Sequence, residues 1–400
     1  MRVLRISDSS DLKKIMQDIS VDPYGIKIML PKAKSYLLRV NSLSSISANI
    51  LKQEMLSFGG DVALARGALT GKIKQTDCLI MGNLSQLNRL RNKLIKQPFG
   101  LSKLALDLKI ALANYERRDP VIDLGKYKLN LAARPYIMGV VNVTPDSFSG
   151  DGLYKTKNSK LRLKEILEYA KRLVKEGADI IDVGGESTRP KSRPVSIREE
   201  LKRTSSVIKL LVRNIKVPVS IDTYKAQVAE EALMNGASIV NDISGLKDAR
   251  MRKLIARYKA GVVIMHMQGS PHSMQNNPYY ESLICDILEY LESAINKAED
   301  AGIDPNKIII DPGIGFGKTL AHNLEILKRL SEFKVLGKPI LVGTSRKSFI
   351  GKLLNNSPQE RIFGTVASSL KAYESGASIL RVHDVLALKE ALIVTRAINK

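Results

Sequence analysis

The strongest constraint on this chain is an alternation that repeats eight times from residue 136 onward. Runs rich in Val, Ile and Leu occupy 136–141, 179–183, 217–221, 237–240, 262–265, 307–310, 339–342 and 377–380. Each run ends in polar residues, and helical spacing of apolar residues, as at 161–176 and 284–301, fills most of the intervals. Continuous apolar runs fit strands buried on both faces, the condition of a parallel sheet. Eight strand–helix units in about 265 residues match the length of a (β/α)8 barrel. A doubly wound open sheet is the structural rival. It usually has fewer strands, and no GxGxxG follows the first run. The expected fold class is α/β: a (β/α)8 TIM barrel preceded by a smaller mixed α/β domain.

The expected domains are 1–118, a linker with a hairpin at 119–135, and the barrel at 136–400. In the linker, apolar alternation on both sides of Gly125 reads as a hairpin that could plug the barrel bottom. The first segment reads as helix at 48–58, strands near 62–66 and 78–81, and helices near 84–96 and 101–116. Gln97-Pro98-Phe99-Gly100 separates the last two. It holds no catalytic constellation. All four histidines, His266, His272, His322 and His383, lie in the barrel.

The net charge is +23, and residues 1–118 carry 20 Lys and Arg against nine Asp and Glu. Such a surface fits attraction to an anion or plain solvation. The second reading is preferred, because no helix-turn-helix, zinc-finger or aromatic-interleaved RNA pattern accompanies the charge. No nucleic-acid partner is therefore expected. No apolar window reaches membrane-spanning length and the N-terminus lacks a signal-peptide pattern, so no membrane association is expected. Cys78 and Cys285 form no CxxC pair, which fits a reducing cytoplasm.

Barrels place their chemistry at the C-terminal ends of their strands. Here those ends carry Asn142, then Gly184 to Arg189, Asp222, Asn241 with Asp242, His266, Asp311, Thr344 to Ser348, and Arg381 with His383 and Asp384. A single Asp or Asn at such a place is ordinarily a helix cap. Eight polar ends together read as an active site. Asp222, Asn241 and Asp311 suit a flat heterocycle with N–H donors. Arg189, Arg346, Lys347, Arg381 and His383 suit phosphate oxygens, as does the helix start near Ser348. The inferred ligand is a heterocycle bearing a phosphate or diphosphate. Gly313-Ile-Gly-Phe-Gly317 misses the dinucleotide fingerprint and reads as a flexible loop carrying Phe316 to the site. His266 in an apolar strand reads as a satisfied core residue. No cluster supports zinc, and any metal is expected to be Mg2+ held largely by phosphate oxygens.

Several stretches resemble the dihydropteroate synthase family: MGVVNVTPDSFS (138–149), GADIIDVGGESTRP (177–190), SIDT (220–223), NDISG (241–245), MHMQG (265–269), DPGIGFGK (311–318), GTSRKS (343–348) and RVHDV (381–385). The resemblance covers about 134–400. It implies condensation of 6-hydroxymethyl-7,8-dihydropterin diphosphate with p-aminobenzoate to 7,8-dihydropteroate, releasing diphosphate, in tetrahydrofolate biosynthesis. It implies that Asp222, Asn241, Asp311 and Lys347 hold the pterin. Arg381 would stack on it and, with His383, Thr188 and Arg189, face the diphosphate. Asn142 would hold Mg2+ through the diphosphate. Phe316, Lys347 and Ser348 would line the p-aminobenzoate site. Asp222, Lys347 and Arg381 are the catalytic candidates, and a homodimer is implied. Loop one departs from the commonest family pattern: Asp151 stands one place late.

Two rivals are a methyltetrahydrofolate–corrinoid methyltransferase and a non-catalytic pterin- or RNA-binding module. The methyltransferase has no need of a diphosphate clamp such as Thr188-Arg189. Intact Asp222, Asp311 and Lys347 argue against lost catalysis.

Overall fold

The computed structural model describes residues 1–4, 9–117, 120–144, 159–187, 192 and 194–398, with the backbone alone at 159 and 160. The chain divides into two compact units, Met1–Ala113 and Asn114–Lys400.

The first unit is built on a three-stranded antiparallel sheet of β1 (Ser35–Ser44), β2 (Asp61–Leu64) and β3 (Gln75–Asn83), ordered β1-β3-β2. Tyr36, Leu38 and Val40 alternate along β1 and pack on a core that includes Cys78 and Ile80 of β3. The helices Ser45–Ser57, Leu84–Leu94 and Leu101–Glu116 supply Leu51, Met55, Leu87, Leu90, Leu94 and Leu108 to the same core. Asn83 and Gln86 form a capping box that starts the second of these helices and fixes the strand–helix corner.

The second unit opens with a hairpin of β4 (Val121–Asp123) and β5 (Lys128–Asn130). Eight parallel strands then close into a barrel: β6 (Tyr136–Asn142), β7 (Ile180–Gly184), β8 (Val219–Asp222), β9 (Ile239–Asp242), β10 (Gly261–Met265), β11 (Ile308–Asp311), β12 (Ile340–Val342) and β13 (Ala377–Val382). They pair in sequence order, and β13 pairs with β6. No helix among the described residues is long and apolar enough to cross a membrane.

Period-two alternation sorts the strand residues. Ile137, Ile181, Val240, Val262, Ile264, Ile308, Ile310, Ile340 and Leu380 face the surrounding helices. Met138, Ile180, Ile239, Val263, Ile309, Leu341 and Ile379 form a separate interior cluster with Ile122, Leu129 and Leu131, so the hairpin and this ring fill one end of the barrel. Burying each of these large side chains is worth about 1.5–3 kcal/mol. Two residues further along the same interior face stand Asp182, Asn241, Met265, Asp311, Gly343 and Arg381. An apolar floor thus lies directly under a polar layer.

Candidate active site

The polar layer is held together mainly by one arginine. Arg381 Nε donates to Asp182 Oδ2 at 2.7 Å, and its Nη2 donates to Asp222 Oδ2 at 2.7 Å. Asn241 Nδ2 donates to the same Asp182 oxygen at 3.1 Å. Strand register brings these groups side by side: Gly184 of β7 pairs with Asp222, and Asp222 pairs with Asn241. Gly184 lies between two of these groups: a Cβ there would make ordinary contacts, 3.5 Å from Asn142 Oδ1 and 3.7 Å from Asp222 Oδ2.

Each carboxylate uses only part of its capacity. Asp182 Oδ1 and Asp222 Oδ1 are buried and have no hydrogen-bond partner among the described residues. Burial, opposed by Arg381 and reinforced by Asp182 and Glu200, pushes the Asp222 carboxyl up to about 7. Burial likewise raises Asp311 to about 6, against the Gly313 N–H that donates to its Oδ1 at 2.7 Å and the charges of Lys347, Lys318 and Arg381. These oxygens are acceptors desolvated in advance of a donor.

His383 and Asn142 meet on the adjoining side of the mouth. The His383 backbone N–H donates to Ser345 Oγ at 3.2 Å, and the Ser345 hydroxyl lies 3.0 Å from His383 Nδ1. With Asn142 Nδ2 donating to Nε2 at 3.4 Å, the ring proton sits on Nδ1 and is donated to Ser345 Oγ. Lys347 Nζ stands 4.0 Å from the centroid of the Phe316 ring. Ser348 is exposed and begins the helix Ser348–Leu354. Thr188, Arg189 and Asp151 lie outside the described residues.

Two expectations need correction. Arg346 does not join the cationic half of the site. Its Nη2 and Nε donate to Asp384 at 2.6 and 3.1 Å, so the two charges are spent on one another. The 313–317 loop is not flexible in character. Gly313, Gly315 and Gly317 all take positive φ, at 72°, 83° and 59°. The loop is tied by Gly313 N to Asp311, Gly315 N to Asn323 Oδ1 at 2.7 Å, Gln275 Nε2 to Gly315 O at 2.8 Å and Tyr280 OH to Gly317 O at 2.8 Å. It presents Phe316 from a fixed frame.

Three features escaped the sequence reading. Asp182 sits inside an apolar run, where a lone carboxylate in phase with Ile180 was the available signal. Lys225 Nζ donates to Glu186, to Glu200 Oε2 at 2.5 Å and to Val195 O at 2.6 Å, while Tyr224 OH donates to Glu186 Oε1 at 2.9 Å. This buried network anchors residues 186 and 195 beside Asp222. Lys318 is buried, with Nζ 3.0 Å from His266 Nδ1. Burial, with Lys318 and Lys247 nearby, drives His266 down to about 2 and keeps the imidazole neutral.

Fold and site define a barrel enzyme whose mouth is built for a polar heterocycle beside an anion. The family described as pterin binding enzyme matches residues 138–383. A dihydropteroate synthase from Synechocystis sp. is 43% identical over 281 residues, covering 70% of this chain and 95% of the relative. The crystal structure of Yersinia pestis dihydropteroate synthase with a sulfonamide drug complex superposes with a TM-score of 0.67 at 42% identity, covering 70% of this chain and 99% of that one. A probable bifunctional folylpolyglutamate synthase/dihydropteroate synthase from Halobacterium salinarum is 36% identical over 380 residues, 95% of this chain and 45% of the relative. That alignment necessarily reaches far into residues 1–113. The chain belongs to the dihydropteroate synthase family, and its activity is that family's transferase step in folate biosynthesis.

Proposed function

We propose that this chain joins 6-hydroxymethyl-7,8-dihydropterin diphosphate to p-aminobenzoate through the residues gathered at the barrel mouth. The observation that carries the assignment of roles is the pair of buried, unpartnered oxygens, Asp182 Oδ1 and Asp222 Oδ1. Buried acceptors without donors cost about 1–3 kcal/mol each, and ring and amino N–H groups of a pterin would relieve that cost. Asp222, Asn241, Asp311 and Lys347 hold the pterin in this reading. Arg381 stacks on the ring. Arg381 and His383 face the diphosphate, joined by Thr188 and Arg189. Phe316, Lys347 and Ser348 line the p-aminobenzoate site.

The reaction breaks the bond between the pterin methylene carbon and the diphosphate oxygen, and the electron pair leaves with the diphosphate. The electron-rich ring stabilises the methylene cation. Ionised Asp222 favours that positive charge electrostatically, and the cations at the mouth favour the departing anion. The amine lone pair then forms the carbon–nitrogen bond and the amine loses a proton. Asp222, Lys347 and Arg381 are the catalytic residues of this scheme.

Mg2+ belongs to the proposal. Asn142 offers one neutral oxygen, and among the described residues no group of three or more His, Cys, Asp or Glu is placed to hold a metal. That donor set fits an ion held mainly by diphosphate oxygens and water, with Asn142 as its protein contact. When bound, the ion would supply charge neutralisation at the leaving group.

A homodimer and a cytoplasmic location are part of the same reading. Leu353, Leu354 and Phe363 are exposed on neighbouring helices, Phe363 at 86%, which supports apolar contact with a second copy. Neither Cys78 nor Cys285 is in a disulfide, which is compatible with a reducing compartment.

The test is diphosphate release from the two substrates by wild type and Lys347→Ala. Release by wild type and its collapse in the variant are expected. Wild type that binds the pterin yet releases nothing would sink the proposal.

A further inference from the structure

We propose that Lys318 is a positioning residue for the arylamine half of the site, holding the Phe316 carbonyl from inside the 313–317 loop. The inference rests on the reading of Phe316 as a wall of the p-aminobenzoate site.

Lys318 is only 3% exposed. It donates to Phe316 O at 3.0 Å and to His266 Nδ1 at 3.0 Å. A Cβ on Gly313 would come within 3.4 Å of Nζ, so the ammonium lies in the concavity of the loop. Its third N–H is available to the field of Asp311, whose charge favours the protonated amine. The lysine therefore ties three things together: the end of β10 at His266, the pterin-facing carboxylate Asp311, and the backbone of the residue that packs on Lys347.

His266 is suited to its part. The ring packs edge-on to Tyr290 at 4.8 Å and tilted against Tyr280 at 5.9 Å, which fixes its plane. A neutral imidazole can accept at Nδ1, and acceptance there orients the ammonium. The loop's other side-chain ties stop on either side of the Phe316 carbonyl, at Gly315 through Asn323 and Gln275 and at Gly317 through Tyr280. Its backbone passes so close to β10 that a Cβ on Gly313 would lie 2.0 Å from His266 O. That contact fixes one end, and Tyr280 fixes the other at Gly317. Phe316 O lies between, and Lys318 is the side chain that reaches it.

A lysine is a costly way to fill this space. Its charge is buried near a second cation, Lys347, and burial with that repulsion brings its own proton affinity down to about 7. A methionine of similar length would pack there without that penalty. The charged donor has a use if Phe316 must be held in register with Lys347 while Asp311 stays ionised.

Steady-state kinetics on the full chain tests this, with wild type, Lys318→Met, His266→Phe and Phe316→Ala. Lys318→Met is expected to raise the KM for p-aminobenzoate about tenfold or more, the effect of losing one charge-assisted hydrogen bond, with a smaller rise in the pterin diphosphate KM, reached through Asp311. His266→Phe keeps an aromatic ring against the tyrosines and is expected to move the same KM in the same direction; it decides the matter if Lys318→Met does not fold. Equal rises in both KM values, or a lowered Tm with both KM values unchanged, overturn the inference. A raised arylamine KM in Phe316→Ala without one in Lys318→Met overturns it while leaving the arylamine site in place. An unchanged arylamine KM in Phe316→Ala overturns both.

Discussion

Asp182 and Arg381 face each other across the barrel interior, carboxylate oxygen to guanidinium Nε at 2.7 Å. Asp182 is completely buried, and the same oxygen also accepts from Asn241. One carboxylate therefore orients two of the groups assigned to the pterin without needing to touch it through that oxygen. Asp182→Asn keeps the shape and removes the charge. Arg381 then keeps Asp222 as its ion-pair partner and loses its second fixed point. The expected result is a fall of about 30- to 150-fold in kcat/KM, corresponding to about 2–3 kcal/mol for a hydrogen bond to a charged group. Kinetics with a circular dichroism check of folding measures it. A variant with wild-type kcat/KM would mean that Arg381 is held in place without Asp182.

The raised carboxyls set a pH dependence with a definite sign. Desolvation lifts Asp222 to about 7 and Asp311 to about 6 in the folded chain, above the ordinary value of 3.8. A folded state that binds these protons more tightly loses stability as pH rises from about 4 to about 7, and the cost is constant above that range. Asp222→Asn removes its share. The variant is expected to gain Tm relative to wild type between pH 5 and pH 8. Activity runs the other way, because only the ionised carboxylates accept the pterin N–H groups. The acid limb of kcat/KM for the pterin is expected to turn near 6–7, as apparent values of the coupled set. A limb turning near 4 would contradict the desolvated site.

Arg346 gives a sharper separation of structure from chemistry. Its partner Asp384 is as shielded as it is, each 15% exposed in the side chain, and Arg361 Nη1 donates to the Arg346 carbonyl at 3.0 Å. Arg346 itself holds a positive φ of 56°. Arg346→Ala strands Asp384, and loss of one partner of a largely buried pair costs about 3–5 kcal/mol at full burial. The expected outcome is a clear drop in Tm, with the pterin diphosphate KM changed less than it is by Arg381→Ala. A larger KM effect from Arg346 than from Arg381 would return Arg346 to the phosphate-binding half.

The barrel was legible because each strand runs apolar on both faces, a pattern few other folds require. Most strand ends could be read for the same reason: polarity there breaks a long apolar run. Asp182 escaped because strand periodicity, not run length, decides which residues face the interior, and a carboxylate two places from Ile180 looks from sequence like an interruption. The partner of Arg346 escaped because charge type does not reveal pairing; only the fold brings Asp384 to it. The glycine-rich loop was misjudged because glycine signals permitted φ, not motion. At 313, 315 and 317 it permits a left-handed path that side chains then lock. In the first unit, β1 was missed entirely. Its alternation of Tyr36, Leu38 and Val40 is interrupted by Asn41 and Ser42, and β3 supplies the pairing that makes it a strand.

The last prediction concerns the two units. Residues 114–400 contain the hairpin, the barrel, both barrel cores and every described candidate residue. The Synechocystis relative aligns over 95% of its own length while covering 70% of this chain, so the remaining 30% of this chain has no counterpart in that alignment. Starting the shortened chain at Asn114 cuts the helix Leu101–Glu116 near its end but retains the residues that bond to the barrel, Asn114 Nδ2 to Val335 O at 2.8 Å and Arg117 to Asn306 at 3.2 Å. The shortened chain is expected to release diphosphate with kcat and both KM values within about twofold of the full chain, since losing no site contact leaves the transition-state free energy unchanged. The Halobacterium alignment, which extends through most of the first unit, makes the opposite result informative. A shortened chain that folds, binds the pterin and turns over tenfold more slowly would assign residues 1–113 a part in the reaction that the barrel alone does not carry.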